Sequence, residues 1–131
     1  MGSEMCIRDR EYIHLHKTGA LLKACVTCGA LIGGADENLL EALSIYARGI
    51  GLAFQIIDDI LDVTASSEVL GKTAGKDLIA DKTTYPKLLG LDESRRRADL
   101  LVAKAKSALD PWPEKSKPLL ALADYITSRD R

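Results

Sequence analysis

Apolar residues at Ile13, Leu15, Leu21, Leu22, Cys25, Val26, Ala30 and Leu31 recur at threes and fours once Thr18-Gly19 is passed, which predicts a helix over residues 11–31. Gly33-Gly34 ends it. Asp36 stands where a cap is needed and acidic Glu37 favours a first turn, so the next helix is predicted from residue 37 to about residue 63, with no proline inside it. Its later part has Ile45, Tyr46, Ile50, Leu52, Phe54, Ile56, Ile57, Ile60 and Leu61 spread around the whole circumference. A helix apolar on every side must be buried on every side, and four or so shorter helices can hardly surround it. The chain is therefore expected to be a piece of a larger bundle or to depend on a partner surface.

Over residues 64–84 the pattern gives way to Ser, Gly, Lys, Thr and Asp, with Gly71 and Gly75 as joints, predicting a loop of roughly twenty residues, longer than compact domains carry idly. Pro86 fits the opening turn of a short helix. Asp92 can cap a charged helix to about residue 109, and Asp110-Pro111-Trp112-Pro113 ends it before a last helix near 114–128. No strand-like alternation and no repeat of 20–50 residues appears, so the fold class is all-α. Residues 1–10, MGSEMCIRDR, have no periodicity and do not prepare the patterned segment after them; they read as a non-native or scar segment, leaving 11–131 as the folded part.

With 131 residues and 47% hydrophobic content, disorder is excluded and one modest core is possible. A net charge of −1 supplies no basic field for nucleic acid or an anionic membrane, so any phosphate must be held locally. The charge is uneven: residues 1–65 carry five Lys and Arg against nine acids, and residues 66–131 carry thirteen against ten. Cys6, Cys25 and Cys28 are too few and odd in number for a disulfide framework, no secretory leader is visible, and a reduced compartment is expected. Gln55, then Asp58 and Asp59, break the longest apolar stretch short of the roughly 20 residues of a bilayer span, so a soluble chain with no stable membrane span is expected.

The most informative cluster is Asp58-Asp59-Ile60-Leu61-Asp62, a DDxxD at the predicted carboxyl end of the long helix. At 100° per residue Asp58 and Asp62 stack on one face, with Asp59 beside them. Three crowded carboxylates at the negative end of a helix dipole need a cation. Oxygen ligands alone point to a hard ion, and one or two carboxylates completed by substrate phosphates is the usual Mg²⁺ arrangement. A bare DDxxD is equally a solvated acidic helix end; the apolar neighbours, and Gln55 on the same stripe, weigh against that reading.

Lys72 in GKTAGKD and Lys82 in DKTTYP lie in the long loop, where a lysine can swing onto a phosphate or simply stay solvated. The P-loop pattern is missing, which disfavours nucleoside triphosphates. Lys17-Thr18-Gly19 interrupts the first helix and can offer an ammonium, a hydroxyl and, at a kink, free carbonyls. Cys25 and Cys28 have CxxC spacing but lie on the apolar stripe without a second pair, so core packing is expected. His14 and His16 point to different faces and are assigned no metal. Arg95-Arg96-Arg97 is expected to be a solvated face.

Taken together, Lys17-Thr18, the run GLAFQIIDDILDV and the run GKTAGKDLIADKTTYPKLLG resemble the carboxyl-terminal half of the trans-isoprenyl diphosphate synthases, most closely those of the geranylgeranyl diphosphate synthase type, over about residues 11–131. The resemblance implies a helical prenyltransferase bundle, usually homodimeric, in the cytoplasm or a plastid, that joins an allylic diphosphate to isopentenyl diphosphate. It implies Mg²⁺ held directly by Asp58, with Asp59 and Asp62 supporting the ion. Lys17, Lys72 and Lys82 would hold the allylic diphosphate, Thr18 and Gln55 would place oxygen dipoles near the allylic cation, and Phe54 would pack on the isopentenyl tail. The family's first aspartate-rich motif and its amino-terminal basic residues have no counterpart in this chain, so the chain alone is expected not to turn over. Two other classes stay open: a non-catalytic helical subunit that regulates a partner prenyl diphosphate synthase, which has no need for crowded acids, and a plain helical interaction module, which leaves the apolar lining beside the acids unexplained.

Overall fold

The computed structural model describes residues 6–69 and 84–129, with side chains over 6–65 and 84–129. Every regular element among them is a helix: α1 Ile7–His16, α2 Thr18–Ile32, α3 Glu37–Val69, α4 Tyr85–Leu89, α5 Leu91–Ser107 and α6 Lys117–Ser128. The all-α expectation holds.

Local chemistry sets most of the boundaries. Gly33 and Gly34 close α2, Gly34 at φ +76°, where a side chain would be strained, and the Ala35 N–H reaches back to the Ala30 carbonyl at 2.9 Å. Asp36 Oδ1 accepts the Leu39 N–H at 2.8 Å and caps α3. Thr84 caps α4 through Lys87 N–H, with Pro86 in the first turn. Three expectations shift. The cap of α5 is Gly90, at φ +86°, while Asp92 sits inside the first turn, where its charge still favours the helix dipole. The last helix starts at Lys117, after turns through 108–116. And α3 runs on to Val69, because neither Gly nor Pro intervenes before Gly71, with Thr64 Oγ1 turned back onto the Ile60 carbonyl at 2.9 Å inside the helix.

α3 is the hub, touched by each of the other described helices. Ile56, Ile57 and Ile60 are essentially fully buried, joined by Tyr46, Ile50, Leu52 and Ala53; each large apolar side chain so placed contributes about 1.5–3 kcal/mol. Two glycines admit neighbours from opposite sides. A Cβ at Gly49 would stand 3.0 Å from the Leu101 carbonyl oxygen of α5, and one at Gly51 would stand 3.3 Å from Gly19 Cα of α2.

The other described helices cover α3 only in part, as expected: half of its apolar window is buried and Ile45 stays exposed, and further apolar surface is open on α2, where Leu21, Leu31 and Ile32 are exposed and only Gly19 is buried. Cys25 and Cys28 share that outward face, so they are exposed and not packed in the core. The membrane expectation also changes in its reason. By length and composition α3 is long and apolar enough over Glu37–Ala65 to cross a bilayer, but half of that apolar window is buried against other helices, as in the core helix of a bundle.

Residues 7–10, expected to lie outside the fold, are helical. α1 has almost no amphipathic character and no buried residue, which is why its periodicity is unreadable; long-range ion pairs hold it in place. Arg10 binds Asp59, and Glu11 Oε1 accepts from Arg97 at 2.9 Å, half-buried. Arg97 therefore leaves the solvated role expected of the Arg95-Arg96-Arg97 run, whereas Arg96 stays exposed and pairs with Glu93.

Candidate active site

The three aspartates separate by helical geometry. Asp59, 100° round from Asp58, points into the packing, and its carboxylate is engaged on both oxygens. Arg10 Nη2 donates to Oδ2 at 2.6 Å and Oδ1 at 2.8 Å, Arg10 Nε donates to Oδ2 at 2.9 Å, and the Tyr85 N–H donates to Oδ2 at 3.1 Å. The aspartate thus ties α1 and the start of α4 to α3. Asp58 is half-buried and its Oδ1 accepts from Arg129 Nη2 at 2.8 Å. Asp62, one turn on, is exposed and without an ion pair among the described residues.

That arrangement corrects the expected electrostatics. Seven residues of α3 follow Asp62, nearly two turns, and the dipole effect fades within the last turn, so the helix terminus does not oppose these charges. Arginines from α1 and from the end of α6 offset the crowding instead.

Among the described residues no three His, Cys, Asp or Glu side chains converge into a metal cage. The chain offers Asp58 and Asp62 on one face, two oxygen donors one turn apart, and this fits a hard ion that takes one or two carboxylates and completes its shell with water and phosphate oxygens. Asp59 is turned from that face.

Phe54 and Gln55 are half-buried on α3, one turn before the aspartates. Lys17 breaks the first helix in two at φ −110°, ψ −94°, and is exposed, with Thr18 half-buried beside it. The expected kink is there. Gly19 packs on Gly51, seven residues before Asp58, which sets the break about 10 Å along α3 from the carboxylates. Lys72, Lys82 and residues 70–83 of the expected loop lie outside the described residues; α3 takes in 64–69.

Sequence reasoning missed the residues behind the acids. Arg10, Tyr85 and Arg129 are 26 to 71 positions away from the aspartates they bind, and no local pattern could reveal them. His14 faces Tyr85, ring centroids 6.0 Å apart, while His16 is exposed and stacks on Tyr12, so the two histidines do point apart. Burial, then the Arg10 charge, hold His14 below its ordinary pKa, and its Nε2 is buried without a partner. Burial pushes the Tyr85 phenol well above the usual tyrosine range, with Glu11 adding to it.

The site is thus a helical bundle whose central helix carries half-buried Asp58 and exposed Asp62 on one face, one turn beyond half-buried aromatic and amide side chains. The chain belongs to the polyprenyl synthetase family, whose model matches residues 3–112. It is 60% identical over 118 residues to a dimethylallyltranstransferase of Fischerella ambigua, covering 90% of this chain and 34% of that protein. It is 58% identical over 129 residues to a chloroplastic geranylgeranyl pyrophosphate synthase of Catharanthus roseus, covering 98% and 36%. Among solved structures, an FPP/GFPP synthase from Zymomonas mobilis superposes with a TM-score of 0.75 at 33% identity, covering 93% of this chain and 38% of that one. The chain thus spans about a third of the length of the curated relatives it matches.

Proposed function

We propose that this chain is the metal- and diphosphate-binding part of a trans-prenyltransferase that condenses an allylic diphosphate with isopentenyl diphosphate to a longer prenyl diphosphate, of the geranylgeranyl diphosphate class, and that residues 11–131 correspond to its carboxyl-terminal part. The observation that carries the reading is the Asp58–Asp62 face set one turn beyond Phe54 and Gln55 on an apolar hub helix. Family membership and the names of the relatives support it.

Asp58 and Asp62 would hold Mg²⁺, and Asp59 positions them by locking α3 to α1 and α4. Bound Mg²⁺ would neutralise the diphosphate that leaves when the carbon–oxygen bond breaks. The chain's own residues do the rest. Lys17, Lys72 and Lys82 bind the diphosphate as point charges. Thr18 and Gln55 direct neutral oxygen dipoles toward the allylic cation, stabilising charge as it develops. Phe54 packs on the isopentenyl tail, and the apolar wall of α3 excludes the water that would quench the cation. The active protein is a homodimer, in a plastid like the relatives named chloroplastic or in the cytoplasm.

The test is protection of the 131-residue protein against thermal unfolding by Mg²⁺ together with an allylic thiolodiphosphate, each also added alone. The pair should raise the melting temperature where neither component does, and Asp58→Ala should abolish the effect. No Mg²⁺-dependent protection of the parent chain would remove the proposal.

A further inference from the structure

Arg129, just beyond α6, puts its side chain into the site. It follows Ser128 directly, Nη2 donates to Asp58 Oδ1 at 2.8 Å, and Cζ lies over the Phe54 ring 4.5 Å from its centroid. Phe54 and Asp58 are one turn apart on α3, so ring and carboxylate form one seat for the guanidinium. Nε is buried there without an acceptor, so the seat satisfies the arginine's charge but not all of its donors. The cation touches an oxygen of the very carboxylate assigned above to Mg²⁺. A divalent ion on Asp58 would share that carboxylate with the guanidinium, and like charges so close repel appreciably in a half-buried setting.

Resting on the metal assignment just made, we infer that Arg129 is the resident cation of the Asp58 site: it neutralises the carboxylate while no metal is bound and yields it when Mg²⁺ arrives, so metal loading and docking of the α6 end on α3 are alternatives. The exchange is ionic and breaks no covalent bond. Asp58 is never left as an unpaired half-buried charge between the two states, which is why this position tolerates an acid one turn from exposed Asp62. Arg10 has no such role, because both oxygens of Asp59 are engaged and point away from the metal face.

The test titrates Mg²⁺ at a fixed allylic thiolodiphosphate concentration and reads the Mg²⁺ midpoint from thermal protection, in the parent chain, Arg129→Met, Arg129→Lys and Asp58→Ala. A partly exposed ion pair reinforced by ring stacking is worth about a threefold to tenfold change in the competing equilibrium. Arg129→Met should therefore lower the midpoint by about that factor, and Arg129→Lys should lower it less. An Arg129 that served only to orient Asp58 for the metal would instead raise the midpoint in Arg129→Met, and a raised or unmoved midpoint overturns the inference while leaving the metal assignment intact. Loss of Mg²⁺ protection in the parent chain overturns both. A second measurement needs no variant: amide hydrogen exchange at residues 127–129 of the parent chain should speed up on saturation with Mg²⁺ and the analogue, and unchanged exchange there also overturns the inference.

Discussion

Replacing Asp59 with asparagine separates the two jobs inside the DDxxD. The substitution keeps the shape and one acceptor but removes the charge that Arg10 grips, leaving a guanidinium only 15% exposed facing a neutral amide. It also weakens the 3.1 Å bond from the Tyr85 N–H that pins the first turn of α4. Breaking one side of a buried ion pair costs about 3–5 kcal/mol, and because these side chains are 15% and 11% exposed the low end applies, about 3 kcal/mol. For a chain of this size that lowers the melting temperature by about 10 °C, a large share of the whole stability. Differential scanning fluorimetry measures the loss. Combining Asp59→Asn with Arg10→Met should recover part of it, since the second change removes the stranded charge.

The diagnostic half of that experiment is metal binding. If Asp59 serves only to lock helices, Asp59→Asn keeps a Mg²⁺ midpoint within about twofold of the parent's when measured below its lowered melting temperature, whereas Asp58→Ala gives no midpoint at all. An Asp59→Asn protein that melts like the parent and has lost Mg²⁺ dependence would refute the division of labour and return Asp59 to the metal.

Two further outcomes test the packing around α3. Tyr46→Phe removes the 2.7 Å bond from the phenol to the Leu119 carbonyl and should cost about 1 kcal/mol at neutral pH. Burial pushes the Tyr46 pKa up to about 12, so the parent's stability from the neutral phenol is fully present below about pH 10 and is lost as pH rises through 12; the Phe variant lacks that alkaline decline, which urea unfolding across pH 9–12 reads directly. Gly49→Ala gains up to about 1 kcal/mol of helix propensity, yet it drives a Cβ to 3.0 Å from the Leu101 carbonyl and Ala105 Cβ, a clash of about 1–3 kcal/mol, so its melting temperature should fall. Gly29→Ala, with nothing within 4 Å, should instead rise, and a fall in both would show that the α3–α5 approach is not the cause.

What could be read in the chain alone follows from how local each cause is. The Gly33-Gly34 stop, the Asp36 cap, the Pro86 turn and the break at Lys17 are set by residues within a few positions of the feature, and each was legible. The stacking of Asp58 over Asp62 is likewise a matter of helical repeat. The extension of α3 to Val69 was hidden because residues 65–69 carry no apolar stripe, and the absence of a breaker is a weaker signal than the presence of one. The placement of α1 was hidden for a deeper reason: an ion pair 49 residues apart holds it, and such a pair leaves no period in the sequence.

The same reasoning explains why the spacing of the DDxxD was legible while the separate surroundings of its three acids were not. Periodicity gives the angle at which a side chain leaves its helix, but not what stands opposite. Asp59 leaves toward α1 and α4 and meets Arg10 and the Tyr85 N–H; Asp58 leaves toward the end of α6 and meets Arg129; Asp62 leaves toward solvent. Three identical carboxyl groups within five residues thus differ in what they can still bind. That order, from locked through ion-paired to open, fits the proposed metal and diphosphate site, which would need a fixed frame behind, a ligand kept neutralised until the metal arrives, and an open ligand in front to meet it.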